Sequence, residues 1–214
     1  MKELYLFFRI TFPIVLTLAP ICFLLFQFNT KKLHLHWAGV LSYCWCVFSF
    51  YGLYLFLNGK HNVIYYQCVT IISSIIIILF LSKKIAGWMK TTFLIVLLLI
   101  SLVLVGFYGE HDVEYIRLSW AAMLTCLLVV VFIVIALYKL IQSGEEEDLF
   151  LSHDFWFSIG LLTYFFFSLY NKIFSNFANF KYAPLIGLAV LLFGNAITSL
   201  FLIIGFKQWA KNLS

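Results

Sequence analysis

Apolar residues along this chain gather into seven long runs separated by short polar links. The runs read Leu4 to Phe28, Trp37 to Leu57, Val63 to Ser82, Trp88 to Tyr108, Ile116 to Ile141, Phe155 to Phe174 and Tyr182 to Ala210. Each holds about 20 residues or more, the length with which an α-helix crosses a hydrocarbon core of roughly 30 Å. Backbone amides in lipid must be satisfied within their own segment, and the period-2 alternation of a membrane barrel strand is missing from these continuous runs. The pattern therefore predicts an all-α fold, a polytopic membrane protein whose 214 residues form a single seven-transmembrane-helix bundle. Lys83 and Lys84 lie in a link so short that the third and fourth helices must form an antiparallel hairpin.

Composition agrees with the pattern. At 64% hydrophobic and 11% charged, the chain departs far from the roughly 45–50% apolar and about 25% charged residues of soluble domains. The apolar surplus faces lipid, and nothing suggests a nucleic-acid partner. Lys2 and Arg9 ahead of the first run give it some likeness to a secretory leader. Its apolar core is too long for one and no small-residue cleavage site follows, so it is expected to be a true span. Cys22, Cys44, Cys46, Cys68 and Cys126 all fall inside runs and read as small apolar fillers rather than disulfide or metal partners.

Lysine and arginine near the span ends set the orientation. One face collects Lys31, Lys32, Lys83, Lys84, Lys90, Lys139, Lys207 and Lys211; the other collects Lys2, Arg9, Lys60, Arg117, Lys172 and Lys181. The richer face belongs in the cytoplasm, which puts the N-terminus outside and the C-terminus inside, in a bacterial inner membrane. Trp37, Trp88, Trp120, Trp156 and Trp209 fall near span ends, where amphipathic rings settle at headgroup level. Pro13 and Pro20 should bend the first helix.

The interior is almost without ionisable groups: no Asp, Glu, His or Lys lies at mid-depth in any run. Proton pumps and ion-coupled transporters place such groups inside, and the last run has no lysine before Lys207 to form a retinal Schiff base. No nucleophile and base can be paired by spacing, so no enzymatic activity and no cofactor are expected. Glu110, His111, Asp112 and Glu114 form one polar set, and His153 and Asp154 another. They fall on opposite membrane faces, so no metal site is expected. His111, flanked by carboxylates, is the candidate pH-responsive group.

Neutral polar and small residues do form stripes. Ser42, Cys46 and Ser49 share a face of the second helix, and Gln67, Thr70 and Ser74 a face of the third. Gly160, Tyr164, Ser168 and Asn171 run down the sixth, and Gly187, Gly194, Asn195, Thr198 and Gly205 down the seventh. These faces should turn inward, either to pack helices closely or to line a small polar cavity. The ligand-binding candidates are Asn195, Thr198, Tyr164, Ser168, Asn171 and Gln67. Asn195 leads them, because a mid-span amide is too costly to leave without a partner.

The segment Phe155, Trp156, Phe157, Ser158, Ile159, Gly160, Leu161, Leu162, Thr163, Tyr164, Phe165, together with Gly194 and Asn195, resembles the seven-helix N-terminal membrane regions of bacterial sensor histidine kinases. The resemblance implies an input module that passes a helix shift through its C-terminus. Those regions lead into a dimerising coiled coil and a kinase domain, which the sequence up to Ser214 does not contain. The expectation is a non-enzymatic membrane sensor that binds a small or lipidic ligand, or senses the bilayer itself. Its partners would be the bilayer, a cytoplasmic or membrane signalling protein and a second copy in a homodimer. A small neutral-solute transporter or channel is the alternative, and a membrane enzyme acting on lipid the third reading.

Overall fold

The computed structural model describes residues 2–29, 36–59, 63–81, 87–106, 114–143, 149–177 and 183–212. They form seven α-helices: α1 (Lys2–Asn29), α2 (Trp37–Leu57), α3 (Val63–Leu81), α4 (Gly87–Gly106), α5 (Glu114–Ser143), α6 (His153–Phe177) and α7 (Ala183–Lys211). A single 3-10 turn, Leu149–Leu151, precedes α6. No strand occurs among the described residues. Five helices contain stretches long and apolar enough to cross a membrane: Glu3–Gln27, Trp37–Leu57, Trp120–Gln142, His153–Phe174 and Leu185–Lys211. The apolar stretches described in α3 and α4, Cys68–Leu81 and Gly87–Ile100, are shorter. Length and apolarity make the chain an all-helical integral membrane protein.

Helix ends are set by local chemistry. His36 caps α2, accepting the Ala38 amide on Nδ1 at 3.2 Å while its carbonyl takes the Val40 amide at 3.1 Å. At the other end Asn58 closes the helix and Gly59 adopts φ +66°, the left-handed conformation that releases the chain. Ser152 caps α6 by accepting the Phe155 amide at 3.4 Å, and Asp154 adds a negative charge to its first turn. Pro13 and Pro20 both lie within the continuous helix α1.

Contacts between helices run in the cyclic order α1, α2, α3, α5, α6, α7 and back to α1, with α4 outside against α3 and α5. One core fills the bundle, and Phe132, Phe157, Phe165 and Phe206 are wholly buried in it. Large apolar side chains such as Phe7, Val47, Leu98, Leu127 and Phe193 point outward, as a surface solvated by lipid requires. At one end of the bundle Phe23 of α1 meets Phe206 and Trp209 of α7, and His36 meets His153. Four helix ends meet here, the C-termini of α1 and α7 and the N-termini of α2 and α6. Of the described lysines, Lys90, Lys139, Lys207 and Lys211 lie towards this end. Trp209 is not an anchor at the rim: it is 7% exposed and packs inside against Phe23 and His36. Trp37 stacks on Phe80 at 5.4 Å, whereas Trp88 and Trp120 remain exposed.

The closest pairing is that of α6 with α7, which cross as antiparallel neighbours. Phe157 lies over Gly205, Leu202 and Phe201 over Gly160, Phe167 over Gly194, and the Asn171 carboxamide oxygen over Gly187. At Gly205, Gly194 and Gly187 a β-carbon would displace that neighbour, whereas at Gly160 it would make a tight contact of 3.3 Å with Phe201. A β-carbon at Gly205 would come within 2.6 Å of the Phe157 ring, which is itself wholly buried and has nowhere to move. Gly205→Ala should therefore lose about 1–3 kcal/mol of stability, read as a lower thermal midpoint in detergent. Gly87→Ala, with nothing within 4 Å of its new carbon, should leave that midpoint unchanged.

Candidate functional site

The polar stripes turn inward as expected. Gly187, Gly194, Asn195, Thr198 and Gly205 of α7 are all buried, as are Ser42 and Ser49 of α2, Ser74 of α3 and Gly160 of α6. Most hydroxyls in such a setting return a hydrogen bond to their own helix. Ser42 donates to the Gly39 carbonyl at 2.8 Å, Ser74 to Thr70 at 2.6 Å, Thr125 to Ala121 at 2.9 Å and Thr163 to Ile159 at 2.8 Å. Ser199 reaches across to α1, donating to the Val15 carbonyl at 3.3 Å in the turn before Pro20.

Asn195 and Thr198 do neither. Asn195 is 1% exposed and Thr198 fully enclosed, yet among the described residues the carboxamide Nδ2 and Oδ1 and the threonine Oγ1 have no hydrogen-bond partner. Three residues apart on α7, they share one face. Leaving a buried donor or acceptor without a partner costs about 1–3 kcal/mol each. Together the two side chains carry two amide N–H donors, an amide acceptor and a hydroxyl that can do either.

The register of α6 against α7 sets Tyr164 and Ser168 at the depth of Thr198 and Asn195, since Phe157, Gly160 and Phe167 lie opposite Gly205, Phe201 and Gly194. Both side chains are half-buried. Tyr164 stacks on Trp45 of α2 with ring centroids 4.1 Å apart, and the Trp45 indole donates to Ser73 of α3 at 2.8 Å. A polar and aromatic layer thus spans α2, α3, α6 and α7 midway through the bundle. Asn171 belongs elsewhere: it fills the notch at Gly187, nearer the other end. Gln67 lies within α3 with its side chain outside the described residues, and His111 lies outside them altogether.

A second polar cluster, not anticipated from the sequence, closes the lysine-rich end. The His36 ring sits 5.8 Å from His153, 4.8 Å from Phe157 and 5.3 Å from Trp209. His153 Nε2 lies 3.5 Å from Asp154, and its Nδ1 is buried with no partner. Among the described residues no three His, Cys, Asp or Glu side chains converge as a metal ion needs. Burial, reinforced by the His153 charge and opposed by Asp154, pushes the His36 imidazole down to about 4. Helix alternation was the signal available in the sequence: His36 opens the second helix and His153 the sixth, two even-numbered helices that begin at one face.

No protein-family model, curated protein or solved structure matches this chain.

Replacing Asn195 with leucine, similar in branching and without polar atoms, should stabilise the ligand-free protein by about 1–3 kcal/mol because the unmet amide is removed. Denaturation in detergent measures this, and a loss of stability would mean the amide has a protein partner. For His36 the folded state holds a proton less tightly than the unfolded one. Its contribution is constant above pH 6.5, the ordinary value, and stability falls as the pH drops from 6.5 towards 4. His36→Asn, which keeps a capping acceptor, should flatten that part of the pH profile.

Proposed function

We propose that the chain is a non-enzymatic sensor of the bacterial cytoplasmic membrane, crossing it seven times with the N-terminus outside and the C-terminus in the cytoplasm. It binds a small neutral or lipidic ligand at Asn195 and Thr198, with Tyr164 and Ser168 at the same depth. The observation that carries this reading is the pair of enclosed polar side chains, three residues apart on one face of α7, whose polar atoms have no partner among the described residues. A ligand bearing both a donor and an acceptor recovers the energy those groups forgo. Binding then favours whichever arrangement of the bundle exposes them best.

The signal follows from the α6–α7 seam. Glycine notches occupied by Phe157, Phe167 and Asn171 fix a register in discrete steps rather than continuously. A ligand lodged at mid-seam shifts the balance between two such registers, and the shift emerges at the C-terminal end of α7, where Phe206 and Trp209 pack on Phe23 and His36. A separate cytoplasmic or membrane partner reads it. The likeness of the Phe155 to Phe165 stretch to the input regions of sensor histidine kinases supports the same reading, as does the absence of Asp, Glu and His from mid-depth in the spans.

A cross-link tests it. A β-carbon at position 160 would lie 3.3 Å from that of Phe201, a few tenths of an ångström short of the roughly 3.5–4.5 Å found in disulfides. In a background without the native cysteines, Gly160→Cys with Phe201→Cys should lock the seam on oxidation and abolish the partner's response, with reduction restoring it. A locked protein that still signals would overturn the sensor reading, and solute uptake into proteoliposomes would favour the transporter instead.

A further inference from the structure

Arg9 lies two turns into α1, yet among the described residues it meets no carboxylate. Its guanidinium is held by its own helix and by α2. Nε and Nη2 donate to the Tyr5 hydroxyl at 3.2 and 2.8 Å, and the group lies over the rings of Phe56 and Tyr5, 5.0 and 5.3 Å from their centroids. Tyr5 in turn packs on Phe56 at 5.9 Å. These contacts fix the fork in place at the end of the bundle away from the histidine pair.

What this arrangement leaves over is all of one kind. An arginine has five N–H donors and a tyrosine hydroxyl one. Two of the five go to Tyr5, whose oxygen accepts them. Three guanidinium donors and the Tyr5 O–H have no acceptor among the described residues. Glu3, the nearest acid in sequence, is exposed and bonds to neither. Spare donors beside one positive charge suit a multi-oxygen anion, and a planar guanidinium matches a phosphate well.

Depth identifies its source. The 28 residues of α1 extend about 42 Å, close to the roughly 40–45 Å of a bilayer with its headgroups. Arg9 starts about 10 Å below the N-terminal edge, and its side chain turns back towards Tyr5, which is towards that edge. That brings the guanidinium to the level of lipid phosphates. In the same turns of α1 and α2, Leu4, Phe7, Tyr54 and Leu57 are exposed, a surface for acyl chains.

We infer that Arg9, Tyr5 and Phe56 form a binding site for the phosphodiester headgroup of a membrane phospholipid in the leaflet at the N-terminal end of α1. This site is independent of the Asn195 layer and of the sensor reading.

Native mass spectrometry of the purified full chain with added phosphatidylglycerol tests it, alongside a phosphate-free galactolipid of the same acyl chains and millimolar inorganic phosphate. The wild type should retain one phosphatidylglycerol in preference to the galactolipid, and inorganic phosphate should not displace it. Arg9→Gln should weaken that retention about tenfold or more, and Tyr5→Phe should weaken it less, both keeping the wild-type thermal midpoint in lipid-free detergent. If Arg9→Gln does not fold, Arg9→Lys, which keeps the charge and loses the fork, should still bind more weakly than wild type. Equal retention by the folded arginine variant, equal retention of the galactolipid, or displacement by inorganic phosphate would each overturn the assignment.

Discussion

Everything in this molecule follows from the absence of water around its backbone and buried side chains. In hydrocarbon a polar atom must find its partner within the chain or go without, and the backbone meets that demand by forming helices. Most side chains meet it in the same local way, serine and threonine bonding back to a carbonyl one turn earlier. Trp45 meets it at longer range by donating to Ser73, and Ser199 by donating to Val15. Against this background Asn195 and Thr198 stand apart, because nothing about their position prevents the usual solutions. Thr198 has the Gly194 carbonyl four residues behind it, within the ordinary reach of a threonine hydroxyl. Among the described residues the pair is unpartnered, which leaves a polar point in the interior.

The packing places this point where a perturbation can travel. The α6–α7 seam is built from glycine notches holding aromatic side chains, so its alternatives are separate registers and not a gradual slide. The same two helices end, on the lysine-rich side, in the cluster of Phe206, Trp209, His36, His153 and Phe157. A change of register at mid-depth must repack this cluster, because Phe157 touches both the Gly205 notch and the His36 ring. The α6–α7 seam and the histidine end are thereby linked through one wholly buried side chain, Phe157.

Much of the fold was legible in the sequence. The run Trp37 to Leu57 coincides with α2, and the other six differ from their helices by no more than a few residues at either end, because uninterrupted apolar stretches have one stable backbone solution in lipid. The inward turn of the Gly187 to Gly205 stripe was legible for the same reason: small and polar residues gain nothing from lipid contact. What sequence could not supply was distance between helices. Spacing ranks Tyr164, Ser168 and Asn171 together, yet the antiparallel register carries Asn171 to the Gly187 notch, away from Asn195. Trp209 has the position of an interface ring, but the convergence of α1, α2 and α7 encloses it. The His36–His153 pair joins residues 117 positions apart, and only helix alternation hints that they share a face.

An experimental density map of the protein purified in native lipid, at a resolution that defines individual side chains, addresses the central claim directly. The account predicts non-protein density within hydrogen-bonding distance of the Asn195 carboxamide and the Thr198 hydroxyl, between α6 and α7. A map in which both groups bond to other residues of the chain, with no room between them for a ligand, would contradict it.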